Sequence, residues 1–269
     1  MEQQAEFLAA YDRDLRTDAE TPSALAVQRL GPLRLVTFSG GRGFVTYPHL
    51  EVADPEQVAK WVESALAHFA ASPEITSIEW KTRAHDQIAG LHDALVSRGF
   101  VPQSPESIMV GPASGLALDV SPPPGVTLRR VSNETDIFAM SQTADRAFGE
   151  EFDPRRARAL CERADRADGM QLWIAEHDGD IIGTGRLEPV ADTAFAGIWG
   201  GAVLPEWRCR GIYRALTSAR AHSALALGKT LVHSDSTAAS RPILQRSGLT
   251  KVSETTPYVW RARPGHSSV

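Results

Sequence analysis

Two periods of apolar residues alternate along the chain, and each switch between them marks an element. Phe7, Leu8, Tyr11 and Leu15 recur at helical spacing and predict an amphipathic helix at the start. "LRLVTFSGGRGFVTYPHL" (33–50) shortens the period to that of strands and predicts two of them around a glycine-rich turn. Gly40, Gly41 and Gly43 invite a phosphate-loop reading, but no helix follows them, so they read as a hairpin turn. "ADPEQVAKWVESALAHFAAS" is a helix with Asp54 at its N-cap, Pro55 at its first position and Glu56 in its first turn. "EITSIEWKT" is a strand, "HDQIAGLHDALVSRGF" a helix stopped by Gly99, and "FVPQSPESIMVG" a last strand whose proline predicts an edge.

"GPASGLALDVSPPPG" (111–125) then breaks the pattern with Pro, Gly and Ser and reads as a linker. Beyond it the pattern restarts. "VTLRRV" is a strand, "SNETDIFAMSQTADRAF" a helix capped by Ser132 or Asn133, and "DPRRARALCERAD" a helix with Asp153 as N-cap and Pro154 at its first position. "MQLWIAEHDGDIIGTGRLEPV" is a hairpin turning at Asp178 and Gly179, and "TAFAGIWGGAVLP" a long strand interrupted by glycines. "IYRALTSARAHSALALG" is a helix with Ile212, Leu216, Ala219 and Ala226 as its apolar stripe. "KTLVHSD" is a strand, "SRPILQRSG" a short helix, and "YVW" lies in the closing strand. This order predicts an α/β chain. The first half ends in a similar order, and "ALVSRGF" (94–100) echoes "ILQRSGL" (243–249), which suggests two related halves. The expected divisions are 1–112, a linker at 113–124, a second domain at 125–262 and a tail at 263–269.

Bulk properties narrow the function classes. At 269 residues, 42% hydrophobic and 23% charged, the chain can bury a substantial core without staples. A net charge of −5 weighs against general nucleic-acid binding. Two cysteines, Cys161 and Cys209, without CxxC spacing give no disulfide framework and no metal site, and fit a reducing cytoplasm. The N-terminus has neither a basic n-region nor an apolar h-region, and no apolar run is long enough to span a membrane.

The chemistry concentrates in "VLPEWRCRGIYRAL" (203–216), where a strand ends, a basic turn forms and a helix starts at Gly211. A helix N-terminus carries unpaired N–H groups and partial positive charge, so a basic turn feeding into it can hold an anion. Arg208, Arg210 and Arg214 add full charges, and Gly211 permits close approach. A solvated turn with surface arginines fits the same letters. Neither a Walker loop nor a dinucleotide fingerprint is present.

The stretch Arg208-Cys209-Arg210-Gly211-Ile212-Tyr213, preceded by Val203, Pro205 and Glu206, resembles the Q/R-x-x-G-x-G/A loop of the GCN5-related N-acetyltransferases (GNAT family). "SRPILQRSGL" resembles that family's last helix, and the likeness covers roughly 125–261. The resemblance implies a GNAT-like fold with a splayed, mixed sheet in the C-terminal half, beside a related, shorter and degenerate α/β unit in the N-terminal half. It implies acetyl-CoA as cosubstrate: pantetheine pairing with the strand near Ala202 and Val203, pyrophosphate on the amides of Arg208 to Tyr213, and an oxyanion donor near Val203. The reaction implied is direct attack of a primary amine, that of a small molecule, on the thioester.

Two family positions are filled differently: Leu244 stands where a tyrosine acid is usual, and Gly197 where a glutamate base is usual. Candidate replacements are Asp235, beside His233 on the fifth strand, Glu188 on the third, and Tyr213 as a proton donor; strand-end carboxylates also serve as plain caps. Glu150, Glu151 and Asp153, flanked by Phe148 and Phe152, could attract a cationic amine or form a solvated loop with an N-cap. Trp199 faces either the acceptor or the core, and Glu206 reads as holding the loop. The rival is a non-catalytic acyl-CoA-binding sensor or scaffold, supported by Leu244 and Gly197. Expected partners are the small-molecule amine, with no nucleic acid and no membrane. The assembly expected is a monomer, through a pseudo-dimer of its halves, or a homodimer.

Overall fold

A computed structural model describes residues 2–50, 54–166 and 168–262, and the predicted tail at 263–269 lies outside them. The elements are α1 (Glu2–Leu15), β1 (Ala26–Leu30), β2 (Leu33–Phe38), β3 (Arg42–Thr46), α2 (Pro55–Ala70), β4 (Ser77–Lys81), α3 (Leu91–Ser97), β5 (Val101–Pro102), β6 (Glu106–Pro112) and α4 (Ala113–Leu116). They continue with β7 (Val126–Val131), α5 (Glu134–Phe148), α6 (Pro154–Ala164), β8 (Gln171–His177), β9 (Asp180–Pro189), β10 (Phe195–Val203), α7 (Ile212–Ala226), β11 (Leu231–Ser236), α8 (Arg241–Arg246), β12 (Thr250–Thr255) and β13 (Pro257–Arg261). Among the described residues no helix is long and apolar enough to cross a membrane.

Two compact units form, and they interleave in sequence. The first takes the described residues up to Ser107 and those from Ser253 onward, and the second is Ile108–Val252. The chain-order division expected from the linker, 1–112 and 125–262, therefore differs from the physical one. The cause is strand pairing. β13, read as the closing strand of the second half, pairs with β4 and β5 in the first sheet. β6, read as an edge, lies inside the second sheet between β12 and β11. Its Ile108, Met109 and Val110 are fully buried, as an interior strand covered on both faces requires. The proline that predicted an edge belongs to β5, which is one.

The first unit's sheet runs β1-β2-β3-β4-β13-β5, with β3 parallel to β4. Its core gathers Leu33, Val45, Tyr47, Val62, Phe69 and Trp80. β1 escapes a periodicity reading because it is almost wholly exposed. α3 starts at Leu91, after Gly90 in the left-handed region (φ 78°), and not at His85 as predicted. α2 starts as predicted: the Asp54 side chain accepts from the Glu56 N–H, and Pro55 occupies the first turn.

The second sheet runs β12-β6-β11-β10-β9-β8-β7. β7 to β10 form an antiparallel meander, and β10 then pairs in parallel with β11 through the crossover helix α7. Asn133 caps α5 by accepting from the Asp136 N–H, and Asp153 caps α6. The expected linker is part of this unit: Ala113 and Leu116 are buried, and Leu118 O accepts from Ser218 Oγ on α7. The buried face of α7 also differs from the predicted stripe. Ile212, Leu216, Arg220 and Ala224 follow the four-residue helical step, while Ala219 is half-buried and Ala226 exposed.

Candidate acyl-CoA site

The site grows from a strand that leaves its neighbour. β10 pairs with β11 only at Phe195↔Leu231, Ala196↔Val232 and Gly197↔His233. Beyond Gly197 the two strands part, whereas β10 stays paired with β9 through a bulge between Trp199 and Ala202. Gly200 takes φ 57° within the bulge, and its carbonyl accepts from Thr184 Oγ1 at 3.0 Å. Ala202 and Val203 lie just past the bulge, paired in register with Thr184 and Gly183 of β9 and buried.

After β10 a short 3₁₀ turn, Pro205–Trp207, leads to the helix. Cys209 (φ 60°) and Gly211 (φ 86°) are both left-handed, and this reversal aims the chain into α7. The amides of Cys209 to Tyr213 have no backbone or side-chain acceptor among the described residues, and Gly211 gives α7 no side-chain cap. A Cβ at Gly211 would meet nothing within 4 Å. Open space, unpaired donors and the positive end of a 15-residue helix fit a phosphate group. Arg210 and Arg214 are exposed beside it, with the Arg210 guanidinium stacked 4.7 Å from the Trp207 ring. Arg208 does a different job from the one its charge suggested. Its Nε donates to Val203 O at 3.2 Å and its Nη2 to Ala147 O at 2.7 Å, which ties the end of β10 to the end of α5. Glu206 pairs with Arg146 at 2.6 Å on the surface.

In the first unit the equivalent position, where α2 follows β3, is built the opposite way. The Asp54 carboxylate already accepts from the Glu56 N–H at 3.2 Å, and Pro55 supplies no N–H. Its parallel strands β3 and β4 stay paired from Arg42↔Ser77 to Val45↔Trp80.

The other face of the wedge is aromatic. Trp199 folds back along β10 so that its indole Nε1 lies 2.2 Å from where a Cβ of residue 197 would be, so Gly197 is glycine because the indole fills that space. The same ring meets His233 edge-on at 5.1 Å, and Phe195 meets His233 at 5.9 Å. Trp199 is half-buried. His233 and Asp235 alternate along β11 and share this face. Glu188 pairs in register with Gly197, but Arg186 Nε holds it at 2.5 Å, with Arg163 Nη2 at 3.9 Å.

Tyr213 lies half-buried in the first turn of α7 with its ring against the bulge: a Cβ on Gly201 would come within 2.8 Å of its Cε2. Leu244 is fully buried in the core with Ala221, Ala224 and Val232. The acidic loop is engaged by its own neighbours. Glu150 pairs with Arg156 at 2.8 Å, Arg156 with Asp145 at 3.1 Å, and Asp153 is spent on capping α6. Glu151 is exposed, as are Phe148 and Phe152. No described contact joins these residues to the wedge. Sequence reasoning missed two features here, the Trp199–Gly197 nesting and Arg220, a buried arginine under the bulge.

Residues 137–248 match the family model described as "Acetyltransferase (GNAT) family". No curated protein matches the chain by sequence. Among solved structures, a GCN5-related N-acetyltransferase from Kribbella flavida shares 21% identity at a TM-score of 0.68, covering 97% of this chain and 96% of its own. A conserved protein of unknown function from Staphylococcus epidermidis shares 14% at a TM-score of 0.66, covering 89% and 95%. A tandem GNAT protein from the clavulanic acid biosynthesis pathway shares 15% at a TM-score of 0.59, covering 97% and 96%. These likenesses extend the shared fold over both units. The wedge, the loop and the helices α7 and α8 all fall within the matched segment, and the chain thus carries a domain of the acetyltransferase (GNAT) family over residues 137–248.

Proposed function

We propose that the chain is an acetyl-CoA-dependent N-acetyltransferase that moves an acetyl group to a primary amine, that of a small molecule, by direct attack in a ternary complex. The observation that carries this reading is the run of unpaired amides from Cys209 to Tyr213, placed where β10 and β11 part. The amides and Gly211, with Arg210 and Arg214 beside them, hold the pyrophosphate, and the β10 backbone at Ala202 and Val203 pairs with the pantetheine arm. Acetyl-CoA supplies an activated acyl carbon as its thioester. The amine nitrogen bonds to that carbon, the C–S bond breaks, and the amine gives up a proton. Lysine-like amines ionise near ~10.4, so a base is needed at neutral pH. Asp235 and His233 share the wedge face and fill this role. Glu188 is the weaker choice because its carboxylate is already engaged by Arg186 and Arg163.

The rival, a non-catalytic acyl-CoA-binding module, has one observation in its favour: Leu244 is buried core, so α8 offers no proton donor. One experiment separates the two. Thermal melting is measured with and without 1 mM acetyl-CoA, followed by release of free thiol with a panel of amines. For a Kd of ~10 μM the ligand adds about 2.7 kcal/mol, a rise of roughly 5–10 °C. The rise should vanish in Gly211→Glu, whose carboxylate would take the pyrophosphate's place. A rise without thiol release for any amine would favour the sensor, and no rise in the wild type would remove the acyl-CoA reading.

A further inference from the structure

Arg220 is the least expected residue of the second unit. It lies in the middle of α7, 1% exposed, in the helical row with Ile212, Leu216 and Ala224. No carboxylate pairs with it among the described residues. Its Nη1 donates to Trp199 O at 3.2 Å and Arg186 O at 3.3 Å, its Nε to Leu216 O at 3.1 Å and its Nη2 to Thr217 Oγ1 at 3.2 Å. Two glycines make room for it. A Cβ on Gly185 would lie 2.7 Å from its Cζ, and one on Gly201 3.5 Å from its Nη2. Burial pulls its guanidinium below the usual arginine range, and only the Tyr213 phenol pulls the other way. A buried, uncompensated charge is costly to keep. An apolar side chain would fill the same row, so the charge itself needs a reason.

The place of the charge supplies one. It sits under the bulge at the β9–β10 seam, between Gly185 and Gly201, where Trp199 O would otherwise lose its ladder partner, with β10 alone between it and the opening toward β11. Resting on the acyl-CoA reading above, we propose that Arg220 is a positioning residue with two tasks. It pins the bulge open, and it lends a fixed positive field to the sulfur that leaves as thiolate, in place of the proton donor that Leu244 cannot be. The other charged groups near the wedge (Arg186 with Glu188, His233 and Asp235) lie on the opposite face of the sheet. The strand alternation shows this, since Leu187 and Val232 pack with α7.

The test reads the bound thiol directly. Free CoA, the reaction's other product, is titrated onto the protein, and its thiolate is followed by ultraviolet absorbance against pH. In the wild type the bound thiol should ionise about one unit below free CoA. Arg220→Gln should return it to the free value. Arg220→Lys should keep most of the lowering while weakening the bulge, seen as a lower melting temperature. In turnover, Arg220→Gln should lower kcat by tenfold or more with KM for acetyl-CoA within about threefold. A wild-type bound thiol that ionises like free CoA overturns the proposal without need of any variant. So does an equal lowering in wild type and Arg220→Gln. Failure of CoA to bind the wild type at all would sink the acyl-CoA reading instead.

Discussion

Gly197→Ala adds one methyl group where the structure leaves no room for it. The new Cβ would lie 2.2 Å from Trp199 Nε1, 2.7 Å from Cε2 and 3.1 Å from Cζ2. Carbon contacts settle near ~3.5–4.0 Å, so the indole must retreat by about 1.5 Å. It cannot do so while keeping its edge-on contact with His233 at 5.1 Å. An aromatic pair of this kind contributes about 0.5–1.5 kcal/mol, and forced repacking brings the expected cost to about 1–3 kcal/mol. Gly197 does not lie in the left-handed region, so alanine strains no backbone there. In a Trp199→Ala background the clash disappears. The same substitution should then be neutral or stabilise by ~0.4–1 kcal/mol, through the narrower unfolded ensemble. The double-mutant cycle should therefore show a coupling of about 2 kcal/mol in urea unfolding with unchanged m-values. An equal cost in both backgrounds, within ~0.5 kcal/mol, would refute the nesting of the indole over Gly197. It would also reopen the question of why the customary glutamate position is a glycine.

Arg208→Ala should cost about 1–2 kcal/mol of stability by releasing Val203 O and Ala147 O, yet keep a thermal rise with acetyl-CoA, because on the proposed reading the amides and not this side chain hold the pyrophosphate. Loss of the whole rise in that variant at a temperature where it is folded would show that the guanidinium itself binds the ligand. In the first unit, burial pushes the Glu20 carboxyl upward, but Arg83, Lys81, the Thr46 hydroxyl and Arg34 outweigh it and hold the group below its ordinary value of 4.5. The folded-state value is thus the lower one. The stabilisation is complete above the ordinary value and drains away as pH falls through the folded one, so a melting profile against pH should drop steeply on the acid side. Glu20→Gln leaves Arg83 buried without its partner and should cost about 3–5 kcal/mol at neutral pH with a flatter acid limb; a loss under 1 kcal/mol would contradict the network.

What the sequence could say depended on whether a residue's neighbours were local. Asp54 and Pro55 announce α2, Asp153 and Pro154 announce α6, and Asp178-Gly179 announces the β8–β9 turn, because each signal acts within a few residues of itself. The loop from Arg208 to Tyr213 was legible for the same reason: a turn and a helix start are local events. β1 carried no periodic signal because it is exposed on both faces. The traded strands β6 and β13 were misplaced because pairing partners are chosen across more than a hundred residues, by shape and not by any pattern a strand carries.

The two features that define the wedge sit between these extremes. Gly197 and Trp199 stand two apart on one strand, hence on one face, so a small residue beside a large one could have suggested the fold-back. Arg220 stands four residues from Leu216 and four from Ala224, inside a row that must be buried, and Gly185 and Gly201 leave space on the strands it meets. An arginine in a core row, matched by glycines opposite, is a local violation of hydrophobic patterning. Such violations are expected where structure is held against its own stability for a purpose. Here the violation falls under the bulge, in the unit whose helix α7 has open amides, and not in the unit whose helix α2 is closed by its own aspartate. The charge, the bulge and the open helix start therefore occur together in one unit, and none of the three has a counterpart at the start of α2 in the other.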